Sequence, residues 1–173
     1  PKDIIHSMSI GLEGFSNSFK KLQPDLIVVL GDRYEIFSAA AAAMIMNIPI
    51  AHIHGGEVTE GAYDEAIRHS ISKMAHIHFV AAPEYRKRVI QLGENPKSVF
   101  MVGGLGVDAM KGLKLLDKIN LEKAMNFKFG QRNLLITIHP ETLTPKDQQL
   151  KNAKTLLAAL KTIRETNFIF TLP

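Results

Sequence analysis

Residues 24–33 of this chain read Pro-Asp-Leu-Ile-Val-Val-Leu-Gly-Asp-Arg. A continuous apolar run of this length, rich in β-branched residues, predicts a strand that is covered on both faces, as in a parallel sheet. A glycine then ends the strand, and a helix over 34–46 and a second strand over 49–53 are predicted to follow. The segment therefore favours an α/β fold with doubly wound parallel sheets.

The alternation of strands and helices extends in both directions from this segment. Apolar residues at steps of three and four predict a helix over 5–22. Further helices are expected over 63–75, 83–92 and 145–164, and further strands over 77–81, 98–102, 133–138 and 167–172. We expect a first domain over 1–110, a lysine-rich linker over 111–130 and the start of a second domain over 131–173. Because the chain begins on a helix and stops on a strand, we also expect sequence to be missing at both ends.

The composition excludes several classes of protein. With 46% hydrophobic residues among 173, the chain can fill a core, which excludes a disordered chain. The net charge of +4 is small and scattered, so neither nucleic acid nor a membrane surface is expected as a partner. Cysteine is absent, which excludes disulfides and thiolate chemistry. No membrane span or signal peptide is recognisable, so we expect a cytoplasmic protein.

Polar residues follow three of the predicted strands, at the edge where parallel sheets bind their ligands. They are Gly31, Asp32 and Arg33, then His54, Gly55, Gly56 and Glu57, and finally His139, Pro140 and Glu141. The helix after the second strand opens with Asp64 and Glu65, and Arg68 and His69 follow one turn later. Carboxylates gathered at one edge are what general acid-base catalysis needs. Glycines at 55 and 56 would let a substrate approach the backbone closely.

Simpler roles compete for some of these residues. Asp32 could be a helix N-cap, and Asp64 and Glu65 could be first-turn acids that interact favourably with the helix dipole.

Two further patterns suggest cofactors only weakly. The Gly-x-Gly-x-x-Ala pattern at 104–109 matches a dinucleotide fingerprint, but no strand ending in an acid follows at the required distance. Two His-x-His pairs, at 52–54 and 76–78, could bind a metal, but no obvious carboxylate completes a ligand set. We therefore expect neither a cofactor nor a metal.

Four stretches resemble the UDP-N-acetylglucosamine 2-epimerase family. They are Pro-Asp-Leu-Ile-Val-Val-Leu-Gly-Asp-Arg at 24–33, Ile-Ala-His-Ile-His-Gly-Gly-Glu at 50–57, Asp-Glu-Ala-Ile-Arg-His-Ser-Ile-Ser-Lys at 64–73 and His-Pro-Glu-Thr at 139–142. The Gly-Gly-Glu and Asp-Glu-x-x-Arg-His elements are similar, more narrowly, to the hydrolysing branch, which supplies N-acetylmannosamine or a related sugar for sialic or other nonulosonic acids. The resemblance covers nearly the whole chain.

The resemblance implies a GT-B arrangement of two Rossmann-like domains with a UDP-sugar in the cleft between them. Family members are about twice as long, so this chain alone would be inactive. They are enzymes without a cofactor, and a homodimer or homotetramer is implied for the full-length protein. The competing functions are a non-hydrolysing epimerase, a GT-B glycosyltransferase and a non-enzymatic sugar-nucleotide-binding fragment.

The resemblance also implies roles for particular residues. In such enzymes, loss of the C2 proton and departure of UDP give a 2-acetamidoglucal-like intermediate, to which water then adds at C1. Asp32, Glu57 and Glu65 would share the proton transfers, and His139 would lie near the diphosphate or sugar. Glu65 is preferred to Asp64 because it precedes Arg68 by three residues. The implied substrate-binding residues are Arg33, Gly55, Gly56, Arg68, His69 and Glu141.

Overall fold

The apolar run at residues 26–30 forms strand β1 (Ile27–Leu30), and Gly31, with a φ of +80°, turns the chain at its end. The structure is a computed structural model that describes residues 2–139 and 143–171. Its residues group into two units, 1–111 and 112–173.

The first unit alternates helices and strands along the chain. Its helices are α1 (Lys2–Leu22), α2 (Tyr34–Ile45), α3 (Asp64–Met74), α4 (Pro83–Gln91) and α5 (Leu105–Gly112), the last of which ends at the first residue of the second unit. Its other strands are β2 (Ile50–Ile53), β3 (Ile77–Val80) and β4 (Val99–Met101), and a 3-10 turn over Pro96–Ser98 precedes β4. The elements predicted between residues 5 and 102 are all present, with ends that differ by a few residues.

The four strands form one parallel sheet in the order of the sequence. Val29 pairs with His52, His52 with His78, and His78 with Val99, so these four side chains form a row on one face of the sheet. All four are buried, whereas Val28, on the opposite face of β1, is 61% exposed. The face that carries the row is therefore the one covered by helices.

The core of the first unit lies between this face and helices α2 and α3. Val29 and Ile50 of the sheet pack there with Ala40 and Ala43 of α2 and Ile71 of α3. The alanine run at 39–43 allows α2 to lie close to the sheet, because its small side chains leave little space between backbone layers. Helix α1 packs in turn on α2.

The second unit contains α6 (Lys118–Met125), β5 (Arg132–Ile136), α7 (Lys146–Lys161) and β6 (Thr166–Phe170). The two strands are parallel and pair from Arg132 with Thr166 to Ile136 with Phe170. Helices α5 and α6 were not predicted, and both reach into the segment expected to be a linker. Within the described part of the chain, no helix has the combined length and apolarity needed to cross a membrane.

Candidate active site

The exits of β1 and β2 lie side by side at the carboxyl edge of the first sheet. Leu30 and Ile53 are paired in register, and the amide of Gly31 donates a hydrogen bond to the Ile53 carbonyl (3.0 Å). Residues 31–33 and 54–57 therefore leave the sheet at the same edge, as predicted from the parallel topology.

Asp32 pairs with Arg68, which lies 36 residues later on α3. The Arg68 Nη2 atom donates a hydrogen bond to Asp32 Oδ2 and a second one, at 3.1 Å, to Thr59 Oγ1. Asp32 is therefore not the N-cap of α2, a position that Arg33 takes without a capping side chain. The Arg68 side chain is only 8% exposed, so the ion pair holds a buried charge in place beside the strand exits.

His54 and Glu57 form a second cluster in the loop after β2. His54 Nδ1 lies 2.5 Å from Glu57 Oε1, and the two side chains are 23% and 27% exposed. His54 has a φ of +64°, which is uncommon for a residue with a side chain. Because such backbone strain persists only where the surrounding structure imposes it, the loop holds the imidazole in a defined position.

The two glycines between them lie close to two helices of the first unit. Both are buried, and a Cβ atom on Gly56 would lie 2.4 Å from the Tyr85 carbonyl oxygen of α4. A Cβ atom on Gly55 would lie 2.9 Å from Ser72 Oγ of α3. The Cβ direction of each glycine is therefore occupied by the protein itself, which allows α3 and α4 to approach the loop. Their part as substrate contacts stays a prediction.

His52 connects the exit of β1 with α3 beneath these clusters. Its Nε2 atom lies 2.8 Å from the Gly31 carbonyl oxygen, and its Nδ1 atom lies 3.1 Å from Ser72 Oγ. Because a carbonyl only accepts, Nε2 carries the proton and Nδ1 accepts from the Ser72 hydroxyl. Burial is the main cause that lowers the pKa of His52 from 6.5 to about 4, and the charges of Arg68 and His54 contribute to this shift. The imidazole is therefore neutral at pH 7.

His78 of the neighbouring strand is equally buried, and burial lowers its pKa as well. Its Nε2 atom lies 3.3 Å from Glu94 Oε2, and Glu94 also pairs with Lys73 at 2.5 Å. Among residues 2–139 and 143–171, no group of three or more potential metal ligands occurs.

The acids at the start of α3 are not joined to the Asp32 and Glu57 clusters. Glu65 lies one turn before His69, whose Nε2 atom is 3.7 Å from Glu65 Oε1. Within the part of the chain that the structure describes, no hydrogen bond or ion pair links Glu65 or His69 to Asp32 or Glu57. The structure thus brings together Asp32 with Arg68, and Glu65 with His69, as separate pairs.

Arg33 pairs with Glu35 of α2. Its guanidinium donates to Glu35 at 3.1 and 3.2 Å, and its side chain is 71% exposed. The Glu35 carboxylate raises the pKa of Arg33. Arg33 is therefore held at the surface by Glu35, whereas Arg68 pairs with Asp32.

The remaining predicted residues belong to the second unit. His139 is exposed and follows β5 by three residues. Glu141 lies outside the described residues.

Sequence reasoning missed three partners of the site residues. Thr59 and Ser72 give no recognisable signal, because a lone hydroxyl residue occurs in any loop or helix. His54 was named at the strand exit and as a possible metal ligand, but its pairing with Glu57, three residues later, was not predicted.

Parallel sheets with ionisable side chains at the strand exits define a class of α/β proteins that bind ligands at this edge. The family model described as UDP-N-acetylglucosamine 2-epimerase matches residues 2–173, and the chain belongs to this family.

Individual relatives agree with this membership. The chain is 48% identical over 165 residues to the GDP/UDP-N,N'-diacetylbacillosamine 2-epimerase (hydrolyzing) of Campylobacter jejuni, covering 95% of this chain and 43% of that protein. It is 47% identical over 171 residues to polysialic acid biosynthesis protein P7 of Escherichia coli, covering 96% of this chain and 42% of that protein. The chain therefore spans less than half the length of these two relatives.

Solved structures confirm the predicted class of fold. The UDP-GlcNAc 2-epimerase of Methanocaldococcus jannaschii, in complex with UDP-GlcNAc and UDP, matches with a TM-score of 0.80 at 21% identity, covering 96% of this chain and 47% of that one. The UDP-GlcNAc 2-epimerase of Neisseria meningitidis bound to UDP-GlcNAc matches with a TM-score of 0.75 at 20% identity, covering 98% of this chain and 55% of that one. At this level of identity the likeness shows the fold alone.

Proposed function

We propose that the intact gene product containing this chain is a hydrolysing 2-epimerase of UDP-activated 2-acetamido sugars. It would convert a UDP-sugar and water into the free 2-epimeric sugar and UDP. The observation that carries this proposal is the identity of 48% and 36% to two relatives named as hydrolysing diacetylbacillosamine 2-epimerases, over 95% and 87% of this chain.

The reaction needs groups that exchange protons around a sugar ring. A base removes the C2 proton, the electrons of that C–H bond form the C1–C2 double bond, and the C1–O bond breaks with its electron pair leaving on UDP. Water then adds its oxygen at C1 while a proton returns to the other face of C2. Asp32 and Glu57, at adjacent strand exits, supply carboxylates for these transfers, together with Glu65 at the start of α3.

The cations of the site support these acids and the ligand. Arg68 keeps the Asp32 carboxylate paired beside the strand exits. The proposed ligand contacts are Arg33, Gly55, Gly56, Arg68, His69 and Glu141. His139 is proposed as a hydrogen-bond donor or acid near the diphosphate or the sugar.

The sugar is either N-acetylglucosamine or a diacetamido-trideoxy relative. The names of the relatives from C. jejuni and Legionella pneumophila favour diacetylbacillosamine. The name of the E. coli relative connects its protein with polysialic acid and so favours the sialic acid route. We propose that the product is used to make a sialic or related nonulosonic acid in the cytoplasm, and that the intact protein is a homodimer or homotetramer.

The experiment that tests this function incubates the intact gene product with a panel of UDP-sugars in D2O. Free UDP that accumulates in step with a free sugar carrying deuterium at C2 is the expected result. A UDP-sugar that interconverts with its 2-epimer without release of UDP would identify a non-hydrolysing epimerase. A donor that is consumed only when an acceptor is added would identify a glycosyltransferase.

A further inference from the structure

We infer that His54, oriented by Glu57, is the base that removes the C2 proton in the proposed reaction. This role depends on the proposed function, because it needs a sugar bound at the exit of β2. It changes the part given to Glu57, which becomes a positioning residue that acts through the imidazole.

The first observation is the geometry of the pair. His54 Nδ1 lies 2.5 Å from Glu57 Oε1. A carboxylate only accepts, so Nδ1 carries the proton of this hydrogen bond and the lone pair of the neutral ring lies on Nε2. Among the described residues Nε2 has no hydrogen-bond partner, and it is not one of the unpaired atoms shut off from solvent. A lone pair that a ligand can reach is therefore presented next to the strand exits.

The second observation is how firmly the loop is held. The amide of His54 donates to the Phe79 carbonyl of β3 at 2.9 Å, and Arg88 Nη1 of α4 donates to the Gly56 carbonyl. The loop also packs against α3 and α4 through its two glycines. A base works best when its supporting structure fixes its orientation before the substrate arrives, and these contacts provide that support.

The chemistry of the two groups decides which one takes the proton. An imidazole ordinarily titrates near neutral pH, so it accepts a proton more readily than a carboxylate does. When His54 Nε2 takes the C2 proton, the C–H electron pair forms the double bond and UDP leaves with the C1–O pair. The resulting imidazolium lies against the Glu57 carboxylate, which stabilises its charge, as in other histidine–carboxylate pairs.

The kinetic test separates the two half-reactions in the intact gene product. His54→Gln should slow UDP release by at least about a hundredfold. Hydration of added 2-acetamidoglucal in the presence of UDP should remain within about tenfold of the parent, because that step needs no base at C2. His6→Gln, on the exposed face of α1, is the matched control and should retain full activity. Full activity of His54→Gln, or equal loss of both half-reactions, would overturn the role.

Two further variants guard against a merely structural effect. Added free imidazole should raise the rate of UDP release by His54→Ala at least about tenfold, since it supplies the missing base. The double variant His54→Gln/Glu57→Gln should be no slower than His54→Gln, because residues that act as a unit are not additive. Failure of the rescue, or a further loss in the double variant, would contradict the pairing.

A measurement that needs no turnover tests the same geometry. Nitrogen-15 NMR of the imidazoles at about pH 8, where an ordinary histidine is neutral, should show His54 protonated on Nδ1 alone. Glu57→Gln should alter that signal, which is assigned by its loss in His54→Gln. A proton on Nε2 would overturn the inference. Absence of turnover by the parent protein on every UDP-sugar would instead refute the proposed function.

Discussion

Arg68 of α3 donates a hydrogen bond to Asp32 at the exit of β1, and the two residues are 36 positions apart in the sequence. The pair fixes the start of α3 against the edge of the sheet where the ligand is proposed to bind. The Asp32 side chain remains 20% exposed, so its carboxylate is supported on one side and open on another. That combination suits a group that is held in position and can still contact a ligand.

Asp32→Asn in the intact gene product should lower the turnover of the UDP-sugar by at least about a hundredfold, the usual scale of acid-base help. The amide keeps the shape of the side chain but cannot take up a proton. Asp25→Asn is the matched control, because Asp25 is exposed and precedes β1, at the end of the strand opposite to Asp32. Normal turnover of Asp32→Asn would remove this carboxylate from the mechanism.

Arg68→Met should destabilise the protein by about 3 kcal/mol, because it leaves the Asp32 carboxylate without its partner in a largely buried position. The midpoint of urea denaturation measures this loss. Arg33→Met, which breaks a surface pair, should leave the midpoint unchanged. Adding Asp32→Asn to Arg68→Met should recover part of the stability. An equal loss with and without Asp32→Asn would mean that Arg68 acts through packing.

Gly56→Ala should destabilise the protein by about 3 kcal/mol, because the new methyl group meets the Tyr85 carbonyl and the backbone is left-handed there. The φ of Gly56 is +79°, and the added Cβ atom would lie 2.4 Å from the Tyr85 carbonyl oxygen. Gly14→Ala is the control at a position where the added methyl group has space. No heavy atom lies within 4 Å of its added Cβ, so it should stabilise α1 by about 0.5 to 1 kcal/mol. A neutral effect of Gly56→Ala in thermal denaturation would contradict the close approach of α4.

The strands could be predicted because their apolar runs are bounded by glycine, proline and polar residues. Parallel pairing then placed Asp32 and Glu57 at one edge, since the carboxyl ends of parallel strands lie together. Helix α6 was missed because it is short and lysine-rich. Its capping residue, Asp117, which accepts from the Asn120 amide at 2.8 Å, was the available signal.

The pairings within the site could not be predicted in the same way. That Arg68 contacts Asp32 and not Glu57 depends on how α3 is rotated about its axis, which the packing of Ile71 against the sheet determines. The role of Gly56 depends likewise on where α4 lies. Such contacts arise from tertiary packing between segments far apart in the chain, and local patterns carry no information about them.

His52 should make the protein less stable as the pH falls from 7 to 4. Its pKa is lowered from 6.5 to about 4 by burial, so in this range the unfolded chain binds the proton more readily than the folded protein does. Integrated over that interval, the loss in the free energy of unfolding reaches about 3 kcal/mol, and it is nearly complete at pH 4. The slope of unfolding free energy against pH should flatten in His52→Gln and stay unchanged in His6→Gln. An unchanged slope in His52→Gln would show that the imidazole is not held neutral between Gly31 and Ser72.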